Sequence, residues 1–326
     1  MYHPLKNWIP YKLDNQATGL SCRWLNTFEE PFAEPFFDET IRKCIQLKDR
    51  AKTVGSVSDL SMIEEWSRWL EAVAPTAFIF HLSRCGSTLV SQQLAIPDGH
   101  IVLSEVPFFD DLLRLPLQDG HYTKRQVSNL LAAAIKYYSQ KRTGKEEQLF
   151  IKTDCWHILF YEQLRALYPL VPFILLYRSP DEVFNSHKKL PGMQSVPGLI
   201  EPEIYGFDPQ EIVYHDLDKY FSAVLEKLLT RFNKVAQIDN NALLINYNEG
   251  PMPIISKIAR FTNLRINDLC LEKMELRARH HSKNQDEFIA DIKVPFNTKV
   301  LTNAIESYNK LEVTKSLLSA RKEDKF

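Results

Sequence analysis

From Ala77 onward, short and wholly apolar runs alternate with longer stretches in which apolar residues recur every three or four positions. Ala77-Phe78-Ile79-Phe80-His81-Leu82, Ile101-Val102-Leu103, Leu149-Phe150-Ile151, Pro172 to Tyr177 and Leu243 to Tyr247 suit strands buried on both faces. Helical spacing runs through Val127 to Tyr138, His157 to Leu167, Leu217 to Val235 and Ile254 to Phe261. Strands alternating with helices predict an α/β fold with a central parallel sheet covered on both faces. No internal repeat interrupts the alternation.

Residues 1–75 follow a different pattern, rich in aromatics: Trp8, Tyr11, Trp24, Phe28, Phe32, Phe36 and Phe37. Asp38 is placed to cap a helix from about Glu39 to Leu47, and a second helix is expected after Ser58, through Leu60, Ile63, Trp66, Trp69, Leu70 and Val73. The division expected is a helical, aromatic extension over 1–75 and an α/β domain over 76–326. The tryptophans are expected to pack against the main domain. Between Leu190 and Gln210, Pro191, Pro197, Pro202 and Pro209 alternate with Gly192, Gly198 and Gly206, which predicts a long loop suited to a lid or substrate-binding role.

Composition narrows the function. The 326 residues include 40 Lys plus Arg against 41 Asp plus Glu, a balance that argues against a general nucleic-acid or anionic-membrane binder. Any anion site must therefore be built from a few aimed groups. Cys22, Cys44, Cys85, Cys155 and Cys270 are scattered, with no CxxC pair or Cys/His cluster, so neither a disulfide framework nor a metal site is expected. No secretory-type apolar stretch opens the chain and no window is long enough to span a bilayer, which predicts a cytoplasmic protein.

Two loops carry candidate chemistry. In the first, a buried strand enters Ser83-Arg84-Cys85-Gly86-Ser87-Thr88 and a helix leaves it. Backbone amides at a helix start lack intrahelical acceptors and attract anions. Gly86 permits close approach, Ser87 and Thr88 add hydroxyls, and Arg84 adds a charged donor. The Walker pattern is absent, because Ser87 follows Gly86 where that pattern needs lysine. An ATP-driven P-loop kinase therefore loses most of its support. In the second, the strand ending at Tyr177 runs into Arg178-Ser179-Pro180-Asp181-Glu182-Val183-Phe184-Asn185-Ser186. Pro180 suits the first turn of a helix, and Arg178 falls at the carboxyl edge of the sheet, where ligands of such folds bind. Arg178 and Ser186 are then placed to grip a second phosphate, unless Arg178 merely pairs with Glu182.

Together these loops resemble the two nucleotide-binding signatures of sulfotransferases, from about Ala77 to Leu264. The resemblance implies a three-layer, P-loop-like fold and 3′-phosphoadenosine 5′-phosphosulfate as sulfuryl donor, with no metal. It implies that Arg84, Cys85, Gly86, Ser87 and Thr88 surround the 5′-phosphosulfate, and that Arg178 and Ser186 hold the 3′-phosphate. The acceptor expected is a hydroxyl or amine of a small molecule. A catalytically silent nucleotide-binding protein of the same fold is the alternative. Ser83 stands where many members have proline, Ser179 where they have aspartate, and the late glycine-rich segment of cytosolic members is missing. Arg277, Arg279, His281 and Lys283 are candidate substitutes, or else a solvated basic face.

Sulfuryl transfer needs in-line geometry, charge stabilisation on the leaving oxygens and a base for the acceptor. Lys152, at the end of a strand, is placed to reach the transferring group, and the resemblance supports a lysine there. Glu105, one βα unit after the first loop, is the expected base, helped by the raised pKa of a partly buried carboxylate. His157 and His187 are its rivals. Cys85 sits at a helix start, where thiol pKa falls, but has no histidine partner in sequence and is read as a loop residue, not a nucleophile.

Overall fold

The computed structural model of the chain describes residues 4–16, 19–210, 212, 214–279 and 298–323. The amino-terminal segment is not purely helical. Strands β1 (Trp8–Gln16), β2 (Gly19–Asn26) and β3 (Ser56–Asp59) form an antiparallel sheet in that order. Helices α1 (Phe37–Arg50) and α2 (Ser61–Ser67) accompany it. Asp38 does not cap α1, which begins at Phe37; it sits in the first turn and pairs with Arg42 at 2.9 Å. The extension seals its aromatics against the rest of the chain. Trp24 packs edge-on to Tyr137, with centroids 4.9 Å apart, and Gln140 donates to the carbonyl of Trp8. Trp69 departs from the expected packing and is 76% exposed, because α2 ends before it.

The main domain holds the expected sheet. Strands β4 (Ala77–His81), β5 (His100–Ser104), β6 (Gln148–Lys152), β7 (Phe173–Tyr177) and β8 (Ala242–Asn246) are all parallel, in the order β5-β6-β4-β7-β8. Every residue of β4 and β7 is buried, as their apolar runs demand.

Helices α3 (Ser87–Leu94), α4 (Pro107–Gln118), α5 (Lys124–Tyr138), α6 (Tyr161–Leu167), α7 (Pro180–Lys189) and α8 (Leu217–Ile238) flank this sheet in a three-layer arrangement. They are joined by α9 (Pro251–Phe261), α10 (Asp268–Ala278) and α11 (Thr302–Glu323). The expected helix from His157 opens instead as a 3₁₀ turn over Cys155–Phe160, and only then becomes α6. The carboxyl ends of β7 and β8 are tied to α11. Tyr177 donates to Glu312, and Asn246 donates to Tyr308 at 2.9 Å and to Glu312 at 3.1 Å.

Sheet register decides what meets at the carboxyl edge. Ile79 lies beside Lys152, Ser104 also lies beside Lys152, and Tyr177 lies beside Asn246. One residue further along each chain, Glu105 therefore arrives over Lys152, and Arg178 arrives next to Tyr247.

Candidate active site

The first anion turn is built on backbone that most side chains avoid. Gly86 has φ 77° and caps α3, and Arg84 has φ 59°. A methyl group on Gly86 would lie 1.9 Å from the Tyr247 ring, so glycine is required there twice over. Ser87 and Thr88 open α3 and are buried. The Cys85 side chain turns away from the turn and under it, its thiol 3.5 Å from the carbonyl of Leu176 on β7. The Arg84 guanidinium reaches the segment after α7, donating to the carbonyl of Leu190 at 2.8 Å.

The second anion loop stands beside the first. Parallel neighbours β4 and β7 both end at this edge, and the Tyr247 ring spans the gap: it covers Gly86 on one side and lies 5.5 Å from the Arg178 guanidinium on the other. Arg178 also pairs with Glu182 at 2.9 Å, and Glu182 accepts from Asn248 at 3.2 Å. Among the described residues the buried Arg178 Nε finds no hydrogen-bond partner, which leaves a charged donor able to take an acceptor. Ser186 is half-buried two turns into α7. The donor set, two positively biased helix starts plus an orphaned guanidinium nitrogen, suits a ligand carrying two anionic groups.

Lys152 and Glu105 form the most buried part of the edge. The Lys152 side chain is fully buried, with Nζ 2.8 Å from Glu105 Oε1 and 5.1 Å from the centre of the Phe36 ring. The approach to Glu105 is close but poorly aligned as a hydrogen bond, which makes it chiefly an ion pair. Glu105 also lies 3.3 Å from His81 Nε2 and holds a left-handed φ of 54°. Burial would raise its pKa, but the charge of Lys152 and the hydrogen bond and charge of His81 outweigh burial and hold the carboxylate well below its usual range. The raised pKa expected of Glu105 is thus not what its surroundings produce: Lys152 and His81 favour the carboxylate and lower that pKa.

Both rival histidines are fully engaged. The His157 Nδ1 accepts from the amide of Asp154 at 3.3 Å, and its Nε2 bonds to Asp110 at 2.9 Å. The His187 Nδ1 accepts from the amide of Gly192 at 3.1 Å, while its Nε2 faces Ser83 Oγ at 3.1 Å. Of the late basic candidates, Arg277 donates to Gln92 on α3 and Arg279 to Glu275. His281 and Lys283 lie outside the described residues.

Three residues of this edge escaped the sequence reading. Tyr247 is one, His81 is another, and Asp154 is the third. Asp154 follows Lys152 by two positions and keeps 14% of its side chain exposed. Burial raises its pKa, Glu105 and Asp110 add to the rise, and His157 and His81 oppose it, leaving the carboxyl pushed up to about 7. The signal available in sequence was its place two residues after the strand-end lysine. Asp110 ties this corner to the 190–210 segment: Trp156 and His157 donate to it, and Arg114 bridges it to Glu201.

A scan against protein-family models finds no match, and a search of curated proteins finds none either. Solved structures do match. The chain is similar to a sulfotransferase, STF9, from Mycobacterium avium at 13% identity, with 76% of this chain and 78% of that one covered and a TM-score of 0.46. It is similar to a sulfotransferase from Alicyclobacillus acidocaldarius at 14% identity, covering 75% and 96%, with a TM-score of 0.42. The sulfotransferase STF1 from Mycobacterium tuberculosis H37Rv matches at 13% identity over 66% and 76%, with a TM-score of 0.41.

Proposed function

We propose that this protein is a sulfotransferase moving a sulfuryl group from 3′-phosphoadenosine 5′-phosphosulfate to a hydroxyl or amine of a small molecule. One observation carries the reading. The Gly86 turn and the Arg178 strand end leave adjacent parallel strands at the same edge, joined by the Tyr247 ring. Two anion grips that close together suit one nucleotide phosphorylated at both ends, and the sequence signatures of both loops agree with it.

The donor nucleotide supplies the sulfuryl group when bound; this chain's residues supply the rest. The amides of Ser87 and Thr88, with Arg84, are assigned to the 5′ side, and Arg178 and Ser186 to the 3′-phosphate. Lys152 presents a buried ammonium donor at the reacting edge, neutralised and held in position by Glu105. We assign the proton of the acceptor to Asp154, whose carboxyl titrates near neutrality beside that pair. In this reading Glu105 is a positioning group and Asp154 the base.

The carboxylate of Glu105, the base expected from sequence, is held well below its usual range, which favours a second reading, a nucleotide-binding protein that does not catalyse transfer. Titration with 3′,5′-adenosine bisphosphate against ATP, followed by transfer from the phosphosulfate donor to a panel of phenols, alcohols and amines, separates the two. Preferential binding of the bisphosphate with transfer supports the enzyme. Binding without transfer to any acceptor supports the second reading, and preference for ATP refutes both.

A further inference from the structure

His81 ends β4 directly beneath the anion turn and is almost completely buried. Its two ring nitrogens face two backbone carbonyls: Nδ1 lies 3.1 Å from the oxygen of Leu82, and Nε2 lies 2.9 Å from the oxygen of Thr153. A carbonyl oxygen only accepts, so each nitrogen that bonds to one must carry a hydrogen. A neutral imidazole has a single N–H and would leave one of these contacts repulsive. Glu105, 3.3 Å from Nε2, adds a negative charge on the same side. These three oxygens fit an imidazolium and misfit either neutral tautomer.

We infer that His81 is a positioning residue charged throughout the neutral range, whose proton adds one positive charge to the neutral Lys152–Glu105 pair under the Gly86 turn. The inference rests on reading that turn as an anion site. Lys152 and Glu105 cancel one another at 2.8 Å. Arg84 is turned toward the Leu190 carbonyl after α7. The remaining titratable groups facing His81 are the Cys85 thiol in the turn and Asp154 after β6. Burial opposes protonation of the imidazole, but hydrogen bonding to Cys85 and Glu105 and the charges of Glu105 and Cys85 prevail and push its pKa up to about 10. The charge is therefore present throughout the neutral range. His81 does not touch the bound anion; it acts through the field at the strand tip and by holding Glu105 over Lys152.

The test uses the full chain labelled with nitrogen-15 at its nine histidines. Ring nitrogen spectra of the wild type and of His81→Gln, which assigns the resonance, are followed between about pH 6 and 10. We expect both His81 nitrogens to remain protonated beyond about pH 8, far above the ordinary histidine range. In the same samples inorganic pyrophosphate should bind His81→Gln roughly 10-fold more weakly than the wild type at low salt. A neutral His81 ring at pH 7.5 overturns the inference. So does equal pyrophosphate affinity in the two proteins, or a wild type that binds no pyrophosphate. Should His81→Gln fail to fold, Glu105→Gln provides the second measurement: it should lower the His81 midpoint by about one pH unit or more, and an unchanged midpoint would refute the link. None of these readouts depends on sulfuryl transfer, so a protein lacking that activity would still test His81.

Discussion

Asp154 holds its proton at a pH where an ordinary aspartate has lost it, and that single shift has consequences for both activity and stability. Its folded pKa of about 7 lies above the unfolded value of about 3.9, so between those limits the folded state binds more protons. Stability then falls as pH rises through this window and stays lower above it. Asp154→Asn removes the titration while keeping a side chain able to cap the 3₁₀ turn that follows. We expect the variant to gain stability over the wild type at pH 8 and not at pH 4, measured by chemical denaturation. Transfer should slow by on the order of 10²-fold or more if Asp154 is the base. Undiminished turnover removes it from that role. Glu182 poses the opposite test. It holds the Arg178 guanidinium that the proposed function assigns to a 3′-phosphate, so on that proposal Glu182→Gln should tighten 3′,5′-adenosine bisphosphate several-fold by calorimetry. Weaker binding would mean that Glu182 orients Arg178 and does not compete for it. In either case Arg178→Ala should weaken the bisphosphate by about 1.5–3 kcal/mol.

The joint between two elements, the turn entering α3 and the end of β8, rests on Gly86 and Tyr247. Alanine at Gly86 meets a left-handed backbone and an aromatic ring at the same time. The backbone part alone costs about 1–2 kcal/mol; the ring adds a steric part. Tyr247→Ala removes only the second, so the double variant should lose less stability than the two single variants together. Additive losses would show that the ring yields freely and is no fixed part of the turn. Elements of this kind differ in how legible they are. Both loops could be read from sequence because each is local: a strand, a few turn residues, a helix. The five core strands were legible for the same reason, each being a continuous apolar run. The meander β1-β2-β3 was not. Its third strand, Ser56–Asp59, has one apolar residue, Val57, which is half-exposed, and the strand exists through pairing with β2 rather than through its own pattern. The cluster of His81, Glu105 and Lys152 was hidden more deeply. Glu105 and Lys152 could be singled out separately, but their contact is set by the register of β5 on β6, and His81 joins them across β4. That register also reversed the expected pKa of Glu105, since sequence alone supplies burial but not the two cations.

For the molecule as a whole, these buried titrations set the pH at which the fold is firmest. Glu105 is held below its unfolded pKa, so its contribution is present above roughly pH 4 and is lost on acidification. Asp154, and Asp111 with a carboxyl pushed up to about 6 by burial and by Asp110, lower stability as pH climbs from about 4 toward neutrality. His81 lies above its unfolded pKa, so its contribution is complete below about pH 6.5 and disappears as pH rises through about 10. Asp111 and Asp154 account for losses up to neutrality, and His81 with the buried thiols of Cys22, Cys44 and Cys155, whose pKa burial raises, for losses above it, while the acid side is protected until Glu105 and the ordinary carboxylates protonate. Maximum stability should therefore fall on the acid side of neutrality, near pH 5–6, where many globular proteins begin a broad plateau instead. Unfolding free energies from urea titrations at unit pH steps between 4 and 10 check this. Each full proton contributes a slope of up to about 1.4 kcal/mol per pH unit. The decisive comparison is the segment from pH 7 to 10: the wild type should decline across it, and His81→Gln should decline less, because the Asp154 and Asp111 titrations are already complete there. Parallel curves for the two proteins, or a wild-type maximum above pH 8, would mean that the edge of the sheet is not held together by the charges assigned to it.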